Sequence, residues 1–150
     1  MTWTDAVAAL RAFIEAQWAS TGLADNMPLA FENEAGDYNS AFLAVSIEGI
    51  TADKTLYGSV GMRTSVLVGA VFLNAFVPTG SGAGTAFAAI DALTTLLELQ
   101  TIADAIKTEG GAPPSPVAYG ETDRDISNSQ PGGQFYRVSG SVPFIVIGTV

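Results

Sequence analysis

The chain contains no cysteine and no histidine. The first absence excludes a disulfide framework and a thiol nucleophile. The second removes the commonest metal ligand and the commonest general base, so no serine here has a histidine to activate it. Charge is scarce as well. Asp, Glu, Lys and Arg together supply 14% of the 150 residues, and the net charge is −9. The six basic residues, Arg11, Lys54, Arg63, Lys107, Arg124 and Arg137, are scattered. A duplex-binding surface needs clustered cations to displace counterions, so specific DNA binding is not expected. The longest apolar run, from Ser65 to Pro78, is interrupted by Gly69 and Asn74 and is too short to cross a bilayer as a helix. The N-terminus lacks the basic region and apolar core of a signal peptide, which makes cytoplasmic synthesis the expectation.

What the chain has in quantity is apolar surface. Hydrophobic residues make up 48% and mean hydropathy is +0.33. A soluble monomer of this size would carry more charge, so part of the surface is expected to lie against other subunits. The length suits one domain with a real core.

The segment "TWTDAVAALRAFIEAQWAS" reads as a helix, with Trp3, Val7, Leu10, Ile14 and Trp18 on one face. Thr2 stands three residues before Asp5, which suits an N-terminal cap, and Gly22 ends the pattern. A helix packed on its own sheet explains that face more simply than a partner-binding helix. Met27 to Tyr38 reads as extended chain and turns, with Glu32, Glu34 and Asp37 as a solvated acidic cluster. The cluster lacks the ligand order of a calcium loop. "AFLAVSIEG" alternates as a strand with Leu43, Val45 and Ile47 on its apolar side, and "TADKT" follows as a polar turn. "LYGSVGMR" reads as a bent, glycine-punctuated edge.

"RTSVLVGAVFLNAFVP" is apolar on both faces: Val66, Val68, Ala70, Phe72 and Phe76 against Leu67, Val71, Leu73 and Val77. It is expected to be a central strand covered on both sides. Fully extended it would reach roughly 50 Å, so it is expected to bend at Gly69 or to project beyond the domain. A second helix, "GTAFAAIDALTTLLE", is expected to bury Ala83, Phe87, Ile90, Leu93 or Thr94, and Leu97. "LQTIADAIKTEGG" suits either a continuation of that helix or a short strand. Residues Lys107 to Gln134 are rich in glycine and proline and read as a long flexible loop, with room for a short strand around Val117–Tyr119. "FYRVSGSVPFIVIGTV" closes the chain as a strand with one wet face. This order predicts an α+β fold: a mostly antiparallel sheet with two main helices packed on one face.

The glycines at Gly80, Gly82 and Gly84 stand where nucleotide-binding enzymes place a phosphate loop. Thr85 occupies the position of the third glycine in G-x-G-x-x-G, and no lysine lies between Lys54 and Lys107 to complete a Walker A loop. The stretch is read as a turn after Pro78, with Ser81 or its neighbouring hydroxyls capping the helix. Weak anion binding at the helix N-terminus stays open as an alternative. Carboxylate pairs such as Glu32 with Glu34 or Asp123 with Asp125 lie in apparent loops, and Gly80-Ser81-Gly82 is not a nucleophile elbow. No enzyme, cofactor or metal is expected.

The whole order resembles the tail terminator, or tail completion, proteins of long-tailed phages, including the lambda-type terminators. It has an N-terminal helix, "PLAFENE", a strand and hairpin, then "GMRTSVLVGAVFLNAFVPTGSGAGTAFAAIDALTTLLE", and a glycine-rich stretch before "YRVSGSVPFIVIG". The family's arginine, strand glycine, P-x-G-x-G ending and mid-helix aspartate fall on Arg63, Gly69, Pro78, Gly80, Gly82 and Asp91. The hairpin "TADKTLYG" departs from the family in carrying fewer aromatic or basic residues. The resemblance implies a virion structural subunit that forms a homo-hexameric ring, caps the head-proximal end of the tail tube and joins it to the head–tail connector. DNA would pass through the ring without specific binding. On this reading Arg63, Phe72, Phe76 and Asp91 are candidates for the subunit interface. Lys54, Tyr57, Tyr119 and Arg124, in the Thr51–Gly61 hairpin and the Lys107–Gln134 loop, are candidates for tube or connector contact. Two alternatives remain at this stage: another ring-forming tail or neck subunit, and a small-ligand-binding domain using the Gly80–Gly84 loop.

Overall fold

The computed structural model describes residues 1–31, 40–50, 55–57, 64–78, 83–116 and 135–149. Helix α1 spans Trp3–Ala19. Thr2 caps it: its hydroxyl accepts from the Asp5 N–H at 3.1 Å, and the Asp5 carboxylate accepts from the Thr2 N–H at 3.1 Å. Two donors that the first turn leaves open are thereby satisfied. The helix buries Ala6, Leu10, Ile14 and Trp18, one residue per turn, with Trp3 and Val7 half-buried at the flank. The Trp18 indole N–H donates to the Met27 carbonyl at 2.9 Å, which fixes the turn that follows. No helix among the described residues is long and apolar enough to cross a membrane.

The strands are β1 Leu29–Phe31, β2 Phe42–Gly49, β3 Thr55–Tyr57, β4 Thr64–Pro78, β5 Thr101–Ile102, β6 Ile106–Thr108, β7 Ser115–Pro116 and β8 Phe135–Thr149; helix α2, Gly84–Leu97, lies between β4 and β5. They form one sheet in the order β1-β2-β4-β8-β6-β5, with β3 also beside β4 and β7 beside β8. Every pairing is antiparallel except β1 with β2. The sheet is built on β4 and β8, which pair over their full length from Thr64↔Thr149 to Pro78↔Phe135. Both helices pack on one face of it, and the fold is α+β. The core joins Leu10, Ile14 and Trp18 of α1 to Ile90, Leu93 and Leu97 of α2, over Val45, Val71, Leu73, Val142 and Phe144 of the sheet. Each such large side chain contributes about 1.5–3 kcal/mol by leaving water.

Gly69 is explained by a close approach. A Cβ there would lie 2.6 Å from the Phe144 ring and 2.7 Å from the Glu48 carbonyl oxygen. Trp3 stacks on Phe144 with centroids 5.8 Å apart, and a Cβ on Gly49, the β2 partner of Gly69, would lie 3.7 Å from the Trp3 ring, an ordinary van der Waals contact. Gly69 thus makes room for the Phe144 ring, on which Trp3 stacks.

Four expectations need correction. Lys107 and Thr108 belong to strand β6, and residues 109–116 are tied to β8 rather than free: the Glu109 N–H donates to the Pro143 carbonyl at 2.8 Å and the Ala112 N–H to the Ser141 carbonyl at 3.0 Å. The remainder of the expected loop, 117–134, lies outside the described residues. Helix α2 buries Ala86, Ala89, Ile90, Leu93, Thr94 and Leu97, leaving Phe87 half-buried. The stripe is rotated onto the side where α2 lies close against β8: a Cβ on Gly140 would lie 2.6 Å from the Ile90 side chain, and the glycine permits that approach. The cap of α2 is Ala83, with no side-chain hydrogen bond. Finally, β4 is central but its second face has no described helix over it. The undecided segment after α2 forms the β5–β6 hairpin.

Candidate assembly surface

Beyond the sheet from the helices, Val66, Val68, Phe72 and Asn74 of β4 stand in register with Ile147, Ile145, Ser141 and Ser139 of β8. All are half-buried. Strand β4 carries no charged residue and β8 only Arg137. Two paired strands of fifteen residues therefore present a face of mostly apolar and small polar side chains that is helix-free among the described residues.

One end of this face is closed by the chain itself. The Phe42 and Phe76 rings stack with centroids 4.8 Å apart, and Phe135 meets both edge-on at 5.8 and 6.4 Å. Such aromatic pairs favour offset-stacked and T-shaped geometries. The buried Arg137 guanidinium lies 5.9 Å from the Phe76 centroid, where the ring's negative face attracts it. Toward β7, the segment at Ala112 and Pro113 stands beside Ser139–Ser141 and leaves a cavity of about 180 Å³ on this face.

The residues singled out from the sequence fall in different places. Phe72 lies on the helix-free face, half-buried. Phe76 shares that face but is 1% exposed, so it is a core residue of its own aromatic cluster and not an accessible interface residue. Asp91 is exposed on α2, across the sheet from Phe72. Tyr57 lies in β3, paired with Thr64. Arg63, Lys54, Tyr119 and Arg124 lie outside the described residues, as do the acidic cluster at 32–37, Asp123, Asp125 and the glycine turn at 79–82. Sequence reasoning took Asn74 only as a break in an apolar run and Ser139 and Ser141 only as the wet face of the last strand; the signal for a lined cavity was a lone amide in one apolar strand and two hydroxyls two residues apart in another.

Leu99 was also not foreseen. It follows α2 at φ 56 and is 78% exposed. Left-handed backbone is unfavourable for a leucine, and the surroundings hold it there. Thr108, at 6% exposure, donates its hydroxyl to the Leu97 carbonyl and accepts from the Gln100 N–H at 2.8 Å. The Glu98 carboxylate accepts from the Gly111 N–H at 2.9 Å. These bonds terminate α2 and bind it to the segment that walls the cavity. The Asp5 carboxyl is held below its ordinary value by the Thr2 hydroxyl and then by the Thr2 N–H.

No protein-family model matches the chain, and no curated protein matches it. One solved structure, whose name describes no function, is similar over 97% of this chain and 96% of its own, with a TM-score of 0.61 and 15% identity. At that identity the likeness concerns the fold.

Proposed function

We propose that this chain is a virion structural protein of the tail terminator kind and not an enzyme. Six copies would form a ring that caps the head-proximal end of the tail tube, stops its growth and presents a surface to the head–tail connector. The observation that carries the reading is the helix-free face of β4 and β8. A subunit that stayed monomeric would solvate such a face with charge, whereas one that assembles covers it with a neighbour. The surplus of acidic residues suits a passage through which DNA slides without sticking. The protein would be assembled in the host cytoplasm and would reside in the neck region of the virion.

Electron microscopy with mass determination of the purified chain, alone and with its tube protein, tests this. Six copies of 15.5 kDa give about 93 kDa, and the expected particle is a sixfold annulus with an opening wide enough for duplex DNA. With the tube protein present, one ring at one end of each tube is expected. Stacked rings throughout would make the chain a tube subunit instead, and tubes whose ends stay bare would end the proposal.

A further inference from the structure

We infer that the cavity on the helix-free face is a socket for a single tyrosine side chain of a protein partner. Its floor is two cross-strand pairs, Phe72 with Ser141 and Asn74 with Ser139, and its wall is Ala112 and Pro113. The inference rests on reading this face as an assembly surface, and it adds what the partner must bring.

Size comes first. An apolar cavity of about 150 Å³ holds one benzene. A volume of about 180 Å³ therefore accommodates one six-membered ring with a small substituent. Sites for free metabolites run to about 300–1,000 Å³ and enclose most of the ligand. This cavity is smaller and opens onto the sheet face, which suits a side chain whose own protein supplies the remaining contacts.

Chemistry narrows the choice. Phe72, Ala112 and Pro113 offer apolar surface to a ring. Among the described residues no charged side chain lines the cavity, so they offer a carboxylate, ammonium or guanidinium no counter-charge for its lost hydration. Among the described residues nothing hydrogen-bonds the Asn74 amide or the Ser141 hydroxyl, while the Ser139 hydroxyl donates to the Ser115 carbonyl at 3.4 Å. A phenylalanine would strip water from the amide and the hydroxyl and return nothing. A phenol replaces that water with an O–H that both donates and accepts.

The test is titration of the ¹⁵N-labelled full chain with N-acetyl-tyrosinamide, N-acetyl-phenylalaninamide and p-cresol, read at the backbone amides of Ala112, Gly140 and Ser141. Saturable shifts are expected with the tyrosine probe, and binding about fivefold weaker with the phenylalanine probe, the worth of one net hydrogen bond. Asn74→Ala is expected to abolish that preference while leaving the phenylalanine probe's affinity unchanged, a pattern that misfolding would not give. Ser141→Ala should act in the same direction. Absent or unsaturable shifts would overturn the inference, as would equal affinity for the two amides or a preference that survives Asn74→Ala. Tighter binding of p-cresol than of the tyrosine amide would overturn it in favour of a free phenol. The probes report on the isolated subunit, so this outcome is separate from whether a ring forms.

Discussion

Gly69→Ala places one methyl group where the structure has no room for it. The new Cβ would lie 2.6 and 3.0 Å from two atoms of the Phe144 ring and 2.7 Å from the Glu48 carbonyl oxygen. The ring is held from beyond by the stacked Trp3, and the carbonyl belongs to a strand paired residue by residue with β4. Neither retreats without loss. Alanine in a strand would ordinarily gain about 0.5–1 kcal/mol over glycine. Overpacking a well-filled site costs about 1–3 kcal/mol. The balance is a destabilisation of about 1–2 kcal/mol, or about 2–8 °C in Tm for a domain of this size. Urea and thermal denaturation followed by circular dichroism read this directly. Phe144→Leu supplies the control: removing the ring atoms should make the alanine cheaper in that background by about 0.5 kcal/mol or more. The contact with the Glu48 carbonyl would persist, so the relief should be incomplete. A Gly69→Ala variant as stable as the parent, or one whose effect is independent of Phe144, would refute the packing account.

Three further outcomes follow from single observations. Thr94→Val should leave stability unchanged or raise it by up to about 1 kcal/mol in urea denaturation, because the buried Thr94 hydroxyl has no hydrogen-bond partner among the described residues and valine keeps its shape; a clear loss would mean that the hydroxyl is bonded in solution. Leu99→Gly should raise the urea midpoint by the equivalent of about 0.5 kcal/mol, since glycine adopts φ 56 without strain and the leucine side chain is mostly in solvent; a fall would show that the side chain supports the turn. Asp5 has a depressed pKa, so its contribution is present above the unfolded value and is lost as pH falls through the folded one. Acidification below about pH 4 should therefore loosen the first turn of α1, seen as a shift of the Thr2 amide resonance that Asp5→Asn removes, and an Asp5 titrating at its ordinary value would contradict the cap.

What the sequence made legible was what short-range patterns encode. The Thr2–Asp5 spacing marked the start of α1, and the long alternations marked β4 and β8 almost to the residue. The face of α2 was misjudged because hydrophobicity favours Phe87 over Ala86 and Ala89, whereas the buried face is the one that carries Ile90 and Thr94 onto Gly140 of β8. The pairing of 105–116 along β8 was hidden for a different reason. It uses the N–H groups of Glu109 and Ala112, and backbone bonding of this kind leaves no trace in a stretch that glycine and proline make look like loop. Phe76 was misassigned because its neighbours Phe42 and Phe135 arrive from strands distant in sequence. The cavity depends on that same long-range arrangement, since Asn74 and Ser139 become neighbours only once β4 and β8 are in register.

The topology also bears on how the proposed assembly could form. Strands β4 and β8 pair with each other over fifteen residues. The outer edge of β4 is taken by β2 over residues 69–76 and by β3 over 64–66. The outer edge of β8 is taken by β6, by β7 and by the backbone bonds of Ala105, Glu109 and Ala112. The described strands at the ends of the sheet, β1 and β5, have three and two residues. Short edge strands of this kind discourage the addition of a further strand. Long-range association through backbone pairing of β4 or β8 is therefore closed, although these are the longest and least charged elements of the chain. On the proposed reading, recognition would fall to side chains on the helix-free face. Specificity there would rest on shape and on a few polar groups, which would give Asn74, within an otherwise apolar strand, more weight than the apolar residues around it.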